Sequence, residues 1–225
     1  HGGRSESTEH PWNQPTHNSE SALTRVRGPD VPLGHIDFAA ELAQIRAFAP
    51  DAVLVFMPGG MGITLTRQFA QAGLADTIPF LSVWTVDEIT LPATRDAAVG
   101  YYSASQWAPD LKNEVNAAFV EAFEVEYGYL PSSFAVQAYD AALLIDSAVA
   151  AVEGDLSNKN ELRKALRAAD FASPRGNFRY NSNHFPIQDF YLVQAIQRED
   201  GRYATSVKQK IFADYADHQA TKCPM

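Results

Sequence analysis

Residues 52–62 read AVLVFMPGGMG, and residues 78–84 read IPFLSVW. Each stretch contains an apolar run of strand length, and a strand that is apolar on both faces belongs in the middle of a parallel sheet with helices on each side. Between the runs, apolar residues recur at helical spacing as far as Leu74, with Gly73 as the helix stop. A strand, a glycine-rich turn, a helix and a second strand form one βαβ unit. This region therefore predicts an α/β fold.

The flanking sequence extends the pattern. A helix capped by Asp37 precedes the unit, and a capping box formed by Asn158 and Glu161 marks the start of a later helix. Asp200-Gly201 is a hairpin turn signal near the end of the chain. The segments predicted after the βαβ unit are a strand at 98–103, helices at about 109–127, 131–154 and 162–169, and strands at 176–180, 189–196 and 203–212.

Composition excludes several classes of protein. The chain has 225 residues, 46% of them hydrophobic, with a net charge of −9 and a pI near 5.1. This acidic balance argues against a nucleic-acid partner and against attachment to an anionic membrane surface. No run of about 18 apolar residues occurs, so no membrane span is predicted. The single cysteine, Cys223, cannot form an internal disulfide, and we expect an inert exposed thiol.

Residues 1–30 differ from the rest of the chain because polar residues, glycine and proline dominate them. Such a segment buries too little apolar surface to offset its ordering entropy, so we expect it to be disordered or loosely attached. His1, His10 and His17 are irregularly spaced, and no metal site is predicted there. The chain starts at His1 without a signal pattern, and we expect it to be a processed or truncated product, or a fragment.

The turn Gly59-Gly60-Met61-Gly62 lies between a strand and a helix, where dinucleotide-binding folds hold phosphate. It lacks the full G-x-G-x-x-G spacing, and Trp84 stands where an acidic ribose ligand would end the next strand. A Rossmann-like nucleotide-dependent enzyme stays open as an alternative. A different interpretation fits these residues better than nucleotide binding. The glycine-rich turn lies at the mouth of a cleft, where its backbone N–H groups bind a polar ligand.

The second predicted strand ends in Trp84-Thr85-Val86-Asp87-Glu88. Ligands of open α/β sheets bind at such carboxyl ends, and an aromatic ring followed by a hydroxyl and carboxylates suits a small molecule with a flat or apolar body. Trp84 could instead be a core residue, and Asp87 and Glu88 could only cap the next helix. No nucleophile, base and orienting group assemble from the sequence, so no catalytic residue and no cofactor are predicted.

Several stretches resemble the leucine/isoleucine/valine-binding group of type I periplasmic binding proteins. They are DFAAELAQIRAFAPDAVLVFMPGGMGITLTRQFAQAGL, VDEITLPA, YGYLPSSFAVQAYDAALLIDSAVAAV and RGNFRYNSNHFPIQDFYLVQAI, in the family's order over residues 31–225. PGGMG, NHFPIQDFY and the terminal Cys-x-Met look most similar to members that take up aromatic acids. The resemblance implies an α/β fold of two lobes with ligand closed between them, here without most of the sheet of lobe one.

The resemblance also implies a division of the chain. Residues 31–104 would be the later part of lobe two, residues 105–172 a hinge crossing with lobe-one helices, and residues 173–225 the closing strands of lobe two with the tail. Ligand contacts would come from the two strand ends and from the hinge. The candidate ligand-binding residues are Met57, Pro58, Gly59, Gly60, Trp84, Thr85, Asp87 and Trp107.

Family members that bind amino acids carry a tyrosine and a glutamate where this chain has Pro58 and Trp84. This difference favours an aromatic carboxylate over a branched-chain amino acid, with Trp84 stacked on the ring. The implied function is the periplasmic substrate-binding component of an ABC importer, with a membrane permease as partner. A ligand-sensing regulator built from the same lobes is a further alternative. Without the rest of lobe one, we expect this chain to bind ligand poorly and to self-associate through exposed apolar faces.

Overall fold

The computed structural model describes residues 31–223. The predictions for residues 1–30, including disorder and the roles of His1, His10 and His17, lie outside the described residues. Six helices and six strands are present in this part of the chain, with 3-10 turns at Arg95–Ala98 and Ala220–Lys222. The helices are α1 (Ala39–Phe48), α2 (Gly60–Gln71), α3 (Leu91–Thr94), α4 (Glu114–Tyr127), α5 (Ser133–Ala151) and α6 (Lys159–Ala168). The strands are β1 (Val53–Val55), β2 (Phe80–Val83), β3 (Tyr102–Ser105), β4 (Arg179–Tyr180), β5 (Pro186–Gln197) and β6 (Tyr203–Tyr215).

The strands form one mixed sheet in the order β1-β2-β3-β5-β4, and β6 pairs with β5 between Gln188 and Gln197. The first three strands are parallel, with Val53 opposite Phe80 and Leu81 opposite Tyr102. Strand β5 runs antiparallel to β3 and to β6. This confirms the predicted α/β class, the βαβ unit and the closing hairpin.

The main core lies between this sheet and helices α1 to α3. Phe69, Phe80 and Tyr101 form its aromatic centre, with Phe80 and Tyr101 stacked at a centroid distance of 4.5 Å. Phe69 packs edge-on against both rings. We call the α1 to β3 segment together with β5 and β6 the sheet region.

Residues 107–172, which we call the helical block, have a much smaller core. Trp107, Phe119 and Val136 are its fully or nearly buried centre. Val125, Phe134 and Ile145 are more than half exposed. Large apolar faces of α4 and α5 are therefore uncovered among the described residues.

Helix α5 is the one helix in residues 31–223 that is long and apolar enough to cross a membrane by length and composition, with a mean hydropathy of 1.3. The sequence contains no uninterrupted apolar run of that length, because polar residues such as Asp140 and Asp146 interrupt the helix. One such helix is weak evidence for a membrane span.

A buried ion pair joins the helical block to the sheet region. The Arg175 Nε donates to Asp140 Oδ2 of α5 at 2.6 Å, and Arg175 Nη1 donates to Gln188 Oε1 of β5 at 2.7 Å. The Ser173 hydroxyl donates to the same Asp140 oxygen at 2.8 Å. Both charged side chains are less than a tenth exposed, so this contact fixes α5 against the strand that returns to the sheet.

Local signals predicted several element ends correctly. The Asn158 side chain accepts from the N–H of Glu161, as the capping box requires, and Gly128 ends α4 in the left-handed conformation at φ 74°. The predicted start of α4 at Pro109 was wrong. The helix begins at Glu114 because the Asn113 side chain caps it by accepting from the N–H of Asn116.

The predicted place of the first strand was also wrong. The sequence predicted a central strand that is apolar on both faces, whereas β1 is an edge strand of the described sheet. Leu54 and Phe56 are 77% and 69% exposed. The apolar run is real, but no element of residues 31–223 covers its outer face.

Candidate functional site

The carboxyl ends of β1 and β2 lie side by side, as predicted. The Met57 N–H, two residues beyond β1, donates to the hydroxyl of Thr85, two residues beyond β2, at 2.9 Å. The Thr85 hydroxyl also lies 3.3 Å from the carbonyl oxygen of Val55. Thr85 is fully buried, so its side chain ties the strand ends together and is not exposed to a ligand.

Trp84 is partly buried and has a left-handed backbone with φ 58°, which is uncommon for a bulky residue. Its ring contacts the ring of Phe134, the second residue of α5, at a centroid distance of 5.2 Å. The start of the helical block therefore meets the end of the second strand of the sheet. The sequence could not predict this pair, because the two residues are far apart in the chain and the capping signal at Ser132 gives no partner.

A small hollow of about 10 Å³ lies beside Trp84. This is room for one water molecule, far below the volume of a typical ligand pocket of about 300–1,000 Å³. The wall is mostly polar and includes hydroxyls from β3 and α5. Its lining residues are Trp84, Val86, Asp87, Glu88, Ser103, Ala104, Ser105, Gln106, Ser133, Val193 and Thr205.

The glycine-rich turn brings α2 close to the end of β1. Gly59 has φ 73° and ψ −145°, a conformation that is essentially restricted to glycine. A Cβ on Gly62 would lie 1.9 Å from the carbonyl oxygen of Met57, whereas a Cβ on Gly60 would meet no atom within 4 Å. Pro58, Gly59 and Gly60 are exposed. The first backbone N–H groups of α2 are thus held at an open edge beside Met57, without a side-chain cap.

The two carboxylates after Trp84 have different surroundings. Asp87 caps the following turn by accepting from the N–H groups of Ile89 and Thr90, each at 3.0 Å, as the simpler interpretation of this residue predicted. Burial raises the pKa of Asp87, while these hydrogen bonds lower it. Glu88 does not cap the turn. Its Oε1 accepts from the N–H and the hydroxyl of Thr205 on β6, and burial raises its pKa to about 7.

Trp107 was a candidate ligand contact, and its placement corrects that prediction. Its side chain is fully buried in the helical block, where Nε1 donates to Asn116 Oδ1 at 2.6 Å. The ring packs edge-on against Phe119. Trp107 fills the core of the block, because its indole N–H finds a hydrogen-bond acceptor inside.

The chain is similar to proteins of a known family and to several solved structures. The family described as "Periplasmic binding protein" matches residues 19–202. A solute-binding protein of an ABC transporter from R. palustris, solved in complex with benzoate, is 34% identical with a TM-score of 0.73, and the match covers 84% of this chain and 50% of that one. None of the curated proteins matches the chain.

Two other solved structures agree. An ABC transporter substrate-binding protein from Sphaerobacter thermophilus is 32% identical with a TM-score of 0.78, covering 83% of this chain and 52% of that one. A solute-binding protein from Rhodopseudomonas palustris BisB5 in complex with 3,4-dihydroxybenzoic acid is 28% identical with a TM-score of 0.72, covering 81% and 50%. The chain spans about half the length of each of these proteins.

Proposed function

Because this chain belongs to the periplasmic binding protein family, we propose that it supplies one wall of the binding site for an aromatic carboxylate in the substrate-binding component of an ABC importer. The partners are then a small solute and a membrane permease, and the site of action is the periplasm. Binding needs no covalent step and no cofactor. The solute is captured and handed on unchanged.

The observation that carries this proposal is the open edge formed by the ends of β1 and β2. There Thr85, the residue after Trp84, is hydrogen-bonded to the Met57 N–H, and the exposed backbone of Pro58, Gly59 and Gly60 follows Met57. Neither Pro58 nor Trp84 carries a carboxylate or a hydroxyl that could accept a hydrogen bond from an ammonium group, which disfavours a branched-chain amino acid. Two similar proteins are solved with benzoate and 3,4-dihydroxybenzoic acid, and both ligands have a ring and a carboxylate.

The candidate residues at the two strand ends have distinct physical roles in this proposal. Trp84 stacks on the ligand ring, and Phe134 extends the aromatic surface. The N-terminus of α2, at Gly59 and Gly60, offers N–H donors and the positive end of the helix dipole to a polar substituent. Met57 and Thr85 hold the two strand ends at a fixed separation, and Asp87 shapes the loop behind Trp84.

A single wall binds weakly. The hollow beside Trp84 is far too small to enclose a ring, so most of the ligand surface stays in water when it contacts this chain. We therefore expect a dissociation constant for benzoate of roughly millimolar, corresponding to about −4 kcal/mol. The exposed apolar faces of α4 and α5 give the same chain a tendency to self-associate at high concentration.

The test is a ligand-observed NMR titration of the chain with benzoate, leucine and NAD. We expect saturation transfer to benzoate, none to NAD, and loss of the benzoate signal in Trp84→Ala. Trp107→Phe is the matched control, because that indole is buried away from the edge and its loss leaves the benzoate signal intact. Saturation transfer to NAD alone would support the enzyme alternative and refute the proposal. A micromolar dissociation constant for benzoate would refute the claim that this chain supplies only one wall of the binding site.

A further inference from the structure

The small hollow beside Trp84 lies on one face of the sheet. Ser103 of β3 is opposite Val193 of β5, and Thr205 of β6 is opposite Ala195 of β5. Paired residues and alternate residues of a strand share a face of the sheet, so the side chains of Ser103, Val193 and Thr205 point to the same side. All three residues line the hollow. Its floor is therefore the sheet itself, at the strands that lie next to β2.

Four buried side chains give this hollow free hydrogen-bonding capacity. Ser103, Gln106 and Ser133 line it and are 4%, 6% and 5% exposed, and none of their side-chain polar atoms forms a hydrogen bond within residues 31–223. Glu88 also lines the hollow. Its Oε1 accepts from the N–H and the hydroxyl of Thr205, whereas its Oε2 has no hydrogen-bond partner in the described part of the chain. A buried polar atom without a partner is unfavourable, so this hollow requires a polar occupant.

The size and charge of the hollow select a hydroxyl group. Its volume of about 10 Å³ is room for one oxygen atom of the size of a water molecule. A phenolic hydroxyl has that size and can both donate and accept. It can donate to Glu88 Oε2 and accept from Ser103 or Ser133. A ligand carboxylate is larger and only accepts, and it would face the acidic side chains of Asp87 and Glu88, so it does not fit there.

The strand order places the hollow and the N-terminus of α2 on opposite sides of Trp84. Helix α2 follows β1, Trp84 follows β2, and the hollow is lined by residues of β3 and β5. Neighbouring strands lie about 4.8 Å apart, so β1 and β3 are separated by roughly 9–10 Å. A ligand whose ring lies on Trp84, with its carboxylate at α2, therefore directs the opposite end of the ring toward the hollow. This corresponds to the para position of a benzoate.

We propose that the hollow lined by Ser103, Ser133 and Glu88 is a specificity site for the ring hydroxyl of a 4-hydroxylated benzoate. This inference rests on the proposed function and names the substrate class of the same site. The hydroxyl donates to the Glu88 carboxylate and accepts from a serine, and benzoate cannot form either hydrogen bond. The chain therefore prefers the hydroxylated ligand over benzoate, and no covalent step is involved.

The experiment measures dissociation constants for a series of ligands by NMR titration of the chain at neutral pH. The series consists of benzoate, 3-hydroxybenzoate, 4-hydroxybenzoate and 4-methylbenzoate. We expect the dissociation constant of 4-hydroxybenzoate to be about tenfold lower than that of benzoate. The methyl group of 4-methylbenzoate has a similar size but neither donates nor accepts, so this ligand should bind no more tightly than benzoate. The 3-hydroxyl points away from the hollow, so 3-hydroxybenzoate should resemble benzoate.

Three variants locate the hydroxyl, and each is judged by the ratio of the dissociation constants for benzoate and 4-hydroxybenzoate. Ser103→Val fills the hollow with methyl groups, so the ratio should fall to about one. Ser133→Ala removes one hydrogen-bonding group and should lower the ratio to roughly threefold. Ser147→Ala is the matched control on the same helix, because the Ser147 hydroxyl donates to the Leu144 carbonyl and does not line the hollow. It should keep the wild-type ratio. If Ser103→Val does not fold, the two alanine variants and the wild-type series still decide.

The outcomes separate this inference from the proposed function. Equal dissociation constants for benzoate and 4-hydroxybenzoate in the wild type overturn the hydroxyl site and leave the proposed function standing. The same holds if 4-methylbenzoate or 3-hydroxybenzoate binds as tightly as 4-hydroxybenzoate, or if Ser103→Val and Ser133→Ala keep the wild-type ratio. If none of the four aromatic acids binds, the proposed function is refuted and the hydroxyl site with it.

Discussion

The sheet region and the helical block have similarly apolar sequences, but they bury their apolar residues very differently. Phe69 in the sheet region is 1% exposed, because α2 packs it between Phe80 and Tyr101. Phe134 and Ile145 in the helical block are 54% and 58% exposed. An apolar stripe shows that a face requires a partner, but not that the partner lies on the same stretch of chain.

The comparison also separates the two parts of the candidate site. The ends of β1 and β2 are held by the well-packed sheet region, through Thr85 and the close approach of Gly62 to Met57. Phe134, which contacts Trp84, is held by a helix with little packing of its own. Substitutions in the two regions should therefore differ in their effect on stability, and matched pairs of variants can test this.

The largest difference should come from the same substitution in both regions. Phe69→Ala leaves a cavity in the main core and should lower the free energy of unfolding by about 3–5 kcal/mol. Phe134→Ala removes a half-exposed ring and should cost about 1 kcal/mol or less. Urea unfolding of both variants measures the difference. Equal losses would show that Phe134 is covered as fully as Phe69, which would break the comparison.

A somewhat smaller effect is expected where the two regions are joined. Asp140→Asn leaves the buried Arg175 guanidinium without its charge partner and should cost about 3 kcal/mol. Asp214→Asn is the control, because the Arg179–Asp214 pair is about half exposed on both sides and asparagine tolerates the left-handed backbone at this position. It should change stability by about 0.5 kcal/mol at most. Thermal unfolding of both variants measures the two losses of stability. A loss in Asp140→Asn as small as that in Asp214→Asn would show that the ion pair does not join the two regions.

The smallest effect is expected at the glycine-rich turn. Gly62→Ala forces α2 away from the Met57 carbonyl and should cost about 1–3 kcal/mol. Gly60→Ala has open space for its Cβ and restricts the unfolded chain, so it should be neutral or slightly stabilising. Chemical denaturation compares the two. If both substitutions leave the free energy of unfolding unchanged, the end of β1 and the start of α2 do not pack as closely as the contact of Gly62 with Met57 indicates.

The sequence predicted those features of the fold that depend on neighbouring residues. The apolar runs up to Met57 and Trp84, the glycine turn, the cap at Asn158 and the hairpin turn at Gly201 are local signals, and the structure has an element or a turn at each of them. The adjacency of the two strand ends also followed, because consecutive strands of a βαβ unit pair in parallel. This was enough to predict that Met57 and Trp84 follow neighbouring strand ends.

The sequence did not predict the positions of side chains whose contact partners are distant in the chain. Trp107 looked like a hinge residue that reaches a ligand, but Asn116 offers its indole N–H a buried acceptor. Glu88 was a possible helix cap, but its carboxylate instead accepts a hydrogen bond from the Thr205 hydroxyl of β6. Phe134 gave no signal at all. Each outcome depends on a contact between residues that no local pattern relates.

The sequence alone therefore determined the α/β class, the order of the elements and the edge where the two strand ends lie side by side, because backbone hydrogen bonding and apolar periodicity act over a few residues. The tertiary structure decided which side chains meet at that edge, which carboxylate is buried, and which apolar faces of β1, α4 and α5 stay uncovered. These depend on how distant segments pack, and packing free energy is a property of the assembled contacts.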